Sequence, residues 1–418
     1  MNKTLRTNVF VTLILSFIVF TTSCRKDCTE FRTYTKYTPL LKPLADVRAS
    51  FSLESPKELE NPRKIYSYQN YLFIVDEFKG FQIVDNSDVS SPAPLKFVNL
   101  EGCTDVSVNN GIIYANQGPD IVSLSFDNAA NVTLTDRLEN IIHTSLISGE
   151  NYIYDFAREE VTEEVKCGRT SGTREGGRFG NSSVSASESF SGNTGNSGGS
   201  SGSSGTGGSM ARMTFVQGVL YVVDQSSLST IDVSNGFSQL YQGNLHWNVE
   251  TIFGTNDHLF LGTTTGMLIF ERNNGYEPTY LSSISHARGC DPVVVQGDYA
   301  FVTVRGNGNC GEANDQLMVI DISTIENPKL HSIHPMSSPY GLGVYGETLM
   351  ICDGPAGLRI FDKSKLSQIS ENEIATIDGI DAYDIIPFQN TFILSTAEGV
   401  FQYDYSKPSK PELLSKLY

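Results

Sequence analysis

The chain is short of positive charge. Thirty lysines and arginines face 47 aspartates and glutamates, a net charge of −17 over 418 residues. A surface this acidic repels phosphate backbones and anionic membranes, and no basic stripe is interleaved with aromatics, which excludes nucleic acid as a partner. Tryptophan occurs once. The seven cysteines include no CxxC pair, which argues against a zinc ribbon or a thioredoxin-like site. Walker loops, GxSxG elbows, HExxH helices and EF-hand loops are all missing. The interior has no long segment with a 3.6-residue period, which removes the helical solenoids. The apolar run at residues 9–20 is too short for a stable membrane span.

What is present starts with that run. Lys3 and Arg6 precede it, and Thr21, Thr22 and Ser23 separate it from Cys24, the layout of a signal peptide over residues 1–23. A cysteine directly after the small residues resembles the lipobox of bacterial lipoproteins. The resemblance implies that the Cys24 thiol is acylated and becomes the mature N-terminus at the outer membrane, outside the cytoplasm. Several acyl chains make such an anchor lasting, since each buried methylene contributes about 0.8 kcal/mol. Residues 24–44 then read as a lipidated tether. Loss of Lys3 and Arg6 takes the net charge from −17 to −19. Cys28, Cys103, Cys167, Cys290, Cys310 and Cys352 remain, in a compartment where disulfides persist.

From residue 45 to 418 one phrase recurs: a short apolar strand, a turn, a second strand ending in Asp, then a polar turn. Its clearest copies are YLFIVDEFKGFQIVD (71–85), LFLGTTTGMLIFE (259–271), LMICDGPAGLRIFD (349–362) and FILSTAEGVFQYD (392–404). Looser copies begin near 112, 152, 220 and 300, so most steps are about forty residues. Alternation of large apolar with small or polar residues reads as strand. Two further strand candidates flank each hairpin, and four short strands per repeat is the size of a propeller blade. The expected fold is all-β, a β-propeller of about eight four-stranded blades, or seven if the irregular third repeat merges with its neighbour. Gly80, Gly266, Gly357 and Gly399 sit five residues before the acid that ends the strand, where a hairpin turn needs positive φ. Asp85, Asp232, Asp321, Asp362 and Asp404 end third strands and are read as caps of the following turn, not as metal ligands.

Phrases such as LFIVD, LYVVD and LMVIDIS resemble those of LVIVD-repeat proteins. Stretches such as HARGCDPVVV, CDGPAGLRIFD and FQYDYSKP look like a lipoprotein subgroup of that family, over nearly all of residues 45–418. The resemblance implies an extracytoplasmic propeller and brings no activity with it. Outside it lies a Gly/Ser-rich stretch, 168–209, with too little apolar surface to offset its ordering entropy, expected as a disordered surface insertion. A shorter insertion covers 306–315. Residues 45–53 (ADVRASFSL) alternate and are expected as an extra edge strand near the junction of first and last blades.

In a propeller the first strand of each blade lines the central channel. Counting back eight or nine residues from each second strand lands on Lys64, Asp105, Arg212, Glu250, Asp291, Gly341 and Asp384, with Thr144 or Ser145 in the third repeat. Three Asp, one Glu, one Arg and one Lys would thus surround one mouth of the channel. They would form a polar pocket for a small ligand or for calcium, which favours clustered carboxylate oxygens, or simply neutralise one another in a water-filled mouth. A second candidate is His286, Arg288, Cys290 and Asp291 on the loop entering the sixth repeat. A Cys290–Cys310 disulfide would pin that loop, contributing about 3 kcal/mol by the chain-entropy model. A Cys290–His286 nucleophile would need a held thiolate and an oxyanion hole, and nothing in the sequence shows either. The sequence reads as a binding or scaffold protein, not an enzyme. It would be monomeric, attached to the membrane by its lipid, and would take a protein or small-molecule ligand through its loop-rich face. The alternative is a metal-assisted hydrolase or lyase at the channel mouth.

Overall fold

The computed structural model describes residues 29–128, 131–143, 146–166, 206–273, 276–286, 288–289, 292–306 and 314–418. They divide into two compact units, a smaller one within residues 1–40 and 155–183 and a larger one within 41–154 and 184–418. The smaller unit is a ribbon in which Thr29–Pro43 pairs with Asn151–Lys166. The larger unit holds the other seven sheets.

Seven sheets of the larger unit carry the four-strand meander of a blade, spanning 62–99, 106–138, 213–244, 249–285, 293–335, 342–377 and 382–417. We number them blades 1 to 7. Within each, consecutive strands pair antiparallel, from the innermost to the outermost. The second strands are apolar on both faces because blades lie against both of them, so Leu72, Phe73, Ile74 and Val75 are all fully buried. Each innermost strand meets the innermost strand of the next blade, around to Ala382–Pro387 against Pro62–Tyr68. The ring is closed without a shared strand: Ile65, Leu72, Ile74 and Phe97 of blade 1 pack against Ile386, Ile393 and Val400 of blade 7. Asn86 and Gln402 exchange side-chain hydrogen bonds of 2.7 and 3.0 Å across the same junction.

The sequence expectation of eight units, with seven as the alternative, thus resolves into eight sheets of which seven are four-stranded blades. The repeat starting near residue 152 is the strand Asn151–Lys166 of the ribbon, and among the described residues it forms no four-stranded blade. Residues 45–53 also differ from expectation. Leu44–Arg48 is a short helix, and only Ser52–Glu54 is a strand. That strand pairs with Ala93–Asn99, covering the outer edge of blade 1. The helix docks on the hairpin at 117–120 of blade 2, where buried Asp120 accepts from Arg48 Nε at 2.8 Å and Arg137 Nη1 at 2.7 Å.

The recurrent aspartates separate into two devices. Asp85, Asp232, Asp321, Asp362 and Asp404 each accept the backbone N–H two residues on, at 2.7–2.9 Å, as turn caps do. Their carboxyls are held below the ordinary range by those hydrogen bonds, which also come from the next serine hydroxyl. The residues closing second strands instead hold the loop that enters their own blade. Asp76 accepts from Asn61 N at 2.7 Å, Asn116 from Asp105 N at 2.9 Å and Asp353 from Ser338 N at 2.8 Å.

Gly266, with φ +150°, opens the third strand of blade 4, and a methyl group there would fall on the Ile284 carbonyl oxygen of the fourth strand. Gly346, with φ +57°, faces open space. Gly266→Ala therefore meets backbone strain and overpacking together and should lose about 3 kcal/mol or more of unfolding free energy. Gly346→Ala should lose about 1 kcal/mol. Denaturant titration of both variants checks the order, and equal losses would contradict the steric account.

Candidate functional site

The innermost strands bring most of the sequence-selected residues to the centre of the ring. Lys64 lies in Pro62–Tyr68 of blade 1, Glu250 in Val249–Gly254 of blade 4 and Asp384 in Ala382–Pro387 of blade 7. Asp105, Arg212 and Gly341 immediately precede the innermost strands of blades 2, 3 and 6. His286 and the exposed Arg288 follow the outermost strand of blade 4. Thr144, Ser145, Cys290, Asp291, Cys310 and Cys24 lie outside the described residues, and so do the expected Cys290–Cys310 disulfide and lipidation of Cys24. Cys103 and Cys352 are free, buried thiols, and burial pushes Cys103 up to about 12.

The centre is filled by the chain itself. Residues 206–209, which the composition assigns to the disordered insertion, are ordered and run with 210–212 across the ring. Thr206–Gly207 pairs antiparallel with the innermost strand of blade 1, Thr206 opposite Ser67 and Gly207 opposite Tyr66. Ser209 N donates to Asp384 Oδ1 of blade 7 at 2.9 Å, and Ser209 Oγ accepts from Leu342 N of blade 6 at 2.6 Å. The Ala211 carbonyl accepts from Ile252 N of blade 4 at 2.9 Å, and the Arg212 carbonyl from Val223 N of blade 3 at 2.8 Å. Arg212 N donates to Asp105 Oδ2 of blade 2 at 2.8 Å. Seven residues thus tie together six of the seven blades. Ser209, Met210 and Ala211 are buried. The composition signal failed here because glycine at 208 serves close approach. A methyl group at Gly208 would overlap the Asp384 carboxylate.

Around this crossing sits a cluster of buried charge. Lys64 Nζ is 3.0 Å from Asp105 Oδ2, a charge contact without the alignment of a hydrogen bond. Burial holds the Lys64 ammonium below its ordinary range, against the opposing pull of Asp105. Asp105 Oδ1 accepts from Val106 N at 2.9 Å. Glu77, which the sequence reading missed, lies in the turn between the second and third strands of blade 1. Burial raises its carboxyl, while Arg63, Lys64 and Arg212 pull it down. Asp384 is fully buried and its carboxyl is pushed up to about 7, by burial first, against hydrogen bonds from Ile385 N and Ser209. Arg212 Nε and Asp384 Oδ2 have no hydrogen-bond partner among the described residues.

Calcium takes six to eight oxygen ligands. Asp105 is engaged on both oxygens, Asp384 Oδ1 is taken by Ser209 and Ile385, and Lys64 and Arg212 stand beside them. The described residues of this centre do not fit such a shell, and no metal-holding group of three or more His, Cys, Asp or Glu occurs among the described residues.

The closed ring of four-stranded antiparallel blades defines the class: the chain is a β-propeller. The LVIVD-repeat family model matches two regions of the chain, residues 63–98 and 287–334. No curated protein matches the sequence. Among solved structures, the computationally designed Ika8 protein is similar at 9% identity and a TM-score of 0.51, over 86% of this chain and 88% of that one. BamB from Moraxella catarrhalis is similar at 8% identity and a TM-score of 0.47, over 88% and 97%.

Because the folded chain holds a proton on Asp384 that the unfolded chain releases above about pH 4, stability should fall as pH rises from about 4 to 7. Three units correspond to about 4 kcal/mol. Asp384→Asn keeps the acceptor for Ser209 and Ile385 and removes the titration. Its stability relative to the parent should rise by up to that amount between pH 4 and 7.5 in denaturant titrations. A constant difference would contradict the buried-acid assignment.

Proposed function

We propose that this chain is a binding or scaffold protein, held at the outer membrane by a lipid on Cys24, that presents the loop-rich face of its propeller to a protein or small-molecule ligand. The observation that carries the reading is the filled centre. Residues 206–212 occupy the place where a channel enzyme keeps its substrate, and Asp105 and Asp384 are engaged in holding them, with Lys64 set against Asp105. A ring closed at its core and rimmed by loops suits recognition, since loops carried on a fixed scaffold are where binding residues gather. Support for the anchor is the apolar run, the small residues and the cysteine at the start of the chain.

The alternative, a metal-assisted hydrolase or lyase, has one supporting observation: a carboxyl near 7 at Asp384 is poised for proton transfer at neutral pH. Calcium is the cation that reading would take, with Asp291 added to Asp105. Elemental analysis of the purified full-length protein separates the two. The binding reading expects far less than one equivalent of any divalent metal. About one equivalent, lost on Asp105→Ala combined with Asp291→Ala, would overturn it in favour of the enzyme. Cys24→Ser should move the protein from the membrane to the soluble fraction, and retention in the membrane would refute the anchor.

A further inference from the structure

A sheet edge left open pairs with any extended chain that reaches it, so folded proteins cover edges or place charge on them. Five of the seven outermost strands follow that rule. Ala93–Asn99 of blade 1 contains Lys96 and is covered by Ser52–Glu54. Asn131–Leu138 contains Asp136 and Arg137, Lys329–Pro335 contains Lys329, Glu373–Ile377 contains Glu373, and Glu412–Leu417 contains Glu412 and Lys416. The outermost strands of blades 3 and 4, Ser238–Asn244 and Thr279–Ser285, contain no charged residue. Among the described residues no strand pairs with the outer side of either.

The same flank exposes aromatic rings. Trp247, on the loop from blade 3 to blade 4, stacks on Tyr280 of the open strand with centroids 6.0 Å apart and planes 14° apart. Tyr280 lies on the outermost strand of blade 4, so the stacked pair sits on the outer flank of that blade. Trp247 is 41% exposed, Tyr280 45% and nearby Tyr276 69%. Residues 213–285 contain six acids and a single Lys or Arg, Arg272, which is buried against Tyr221. Glu271 and Glu277, beside the rings, are exposed. Glu277 also takes the Tyr241 hydroxyl as a donor at 3.4 Å.

We propose that the outer edge of Thr279–Ser285 is a docking site for an extended, lysine- or arginine-bearing segment of a partner protein, which adds to blade 4 as a fifth strand. Blade 1 supplies the template within this chain. Ser52–Glu54 pairs with 97–99, and in the register of the blades Ser283, Ile284 and Ser285 take the places of Phe97, Val98 and Asn99. Main-chain pairing would supply affinity. Basic side chains laid over Trp247, Tyr276 and Tyr280 would gain cation–π attraction and meet Glu271 and Glu277. The site lies on the flank of the ring, apart from the central cluster, so its failure and that of the loop-face reading are distinct.

Trp247 is the only tryptophan and therefore reports occupancy directly. The full-length protein is titrated with a synthetic octapeptide alternating threonine and lysine, free of aromatic residues, while its emission is followed. Three comparisons accompany it: the threonine–glutamate peptide, the lysine peptide N-methylated at alternate residues, and the Glu271→Lys, Glu277→Lys protein. The proposal expects a saturable change with the lysine peptide, at least tenfold weaker binding in each comparison, and no change in the melting temperature of the variant. Absence of a saturable change overturns it. Equal binding of the glutamate peptide, equal binding of the N-methylated peptide, or undiminished binding by the variant would each do so too.

Discussion

The centre of a closed ring is a poor place for a peptide chain, because every buried N–H and C=O there needs a partner. Residues 206–212 meet that demand by borrowing from the walls. The ladder of blade 1, the carboxylates of Asp105 and Asp384, and the amides of Val223, Ile252 and Leu342 each complete one group of the crossing. Much else in the larger unit answers to this constraint. Glycine is required at 208 for the approach to Asp384, and the carboxylates are spent on backbone donors instead of a ligand. Blades that are distant in sequence are bound to one short segment.

The electrostatics of the centre follow from the same dryness. Removing a carboxylate from water is costly unless charge or donors replace the lost solvation. Asp105 has a lysine at 3.0 Å and two backbone donors. Asp384 has donors on one oxygen only, and burial raises its carboxyl toward neutrality. Two aspartates of the same centre, on the walls either side of blade 1, thus meet different sets of partners. The ring itself closes by side-chain packing of blade 7 on blade 1, with the Asn86–Gln402 pair fixing their relative register.

Much of this was legible in the residues. All seven second strands were located by their apolar hairpins, the third-strand aspartates were assigned to turns, and the count back from the hairpins placed Lys64, Asp105, Arg212, Glu250 and Asp384 on or beside innermost strands. The third hairpin was misread because its spacing matched the repeat. Its own composition gave the warning: YIYDFAREEVTEEVK lacks the glycine before the closing acid and carries charge at many positions, as a ribbon with little burial does. The crossing at 206–212 was hidden for another reason. Gly and Ser are the residues of a disordered loop and also those of a chain squeezed between six walls, and composition does not separate the two. Glu77 and Ser209 act through tertiary neighbours that no local pattern names.

The larger unit is a ring of blades whose centre is crossed by its own chain, and the outermost strands of blades 3 and 4 carry no charged residue. The account depends most on the crossing being part of the folded ring. Hydrogen–deuterium exchange at Ser209, Arg212, Ile252 and Leu342 tests this directly. The account predicts that all four amides exchange as slowly as those of the blade strands, through opening of the ring. Exchange of Ser209 and Arg212 at the rate of an unstructured peptide would contradict it and return the centre of the propeller to solvent.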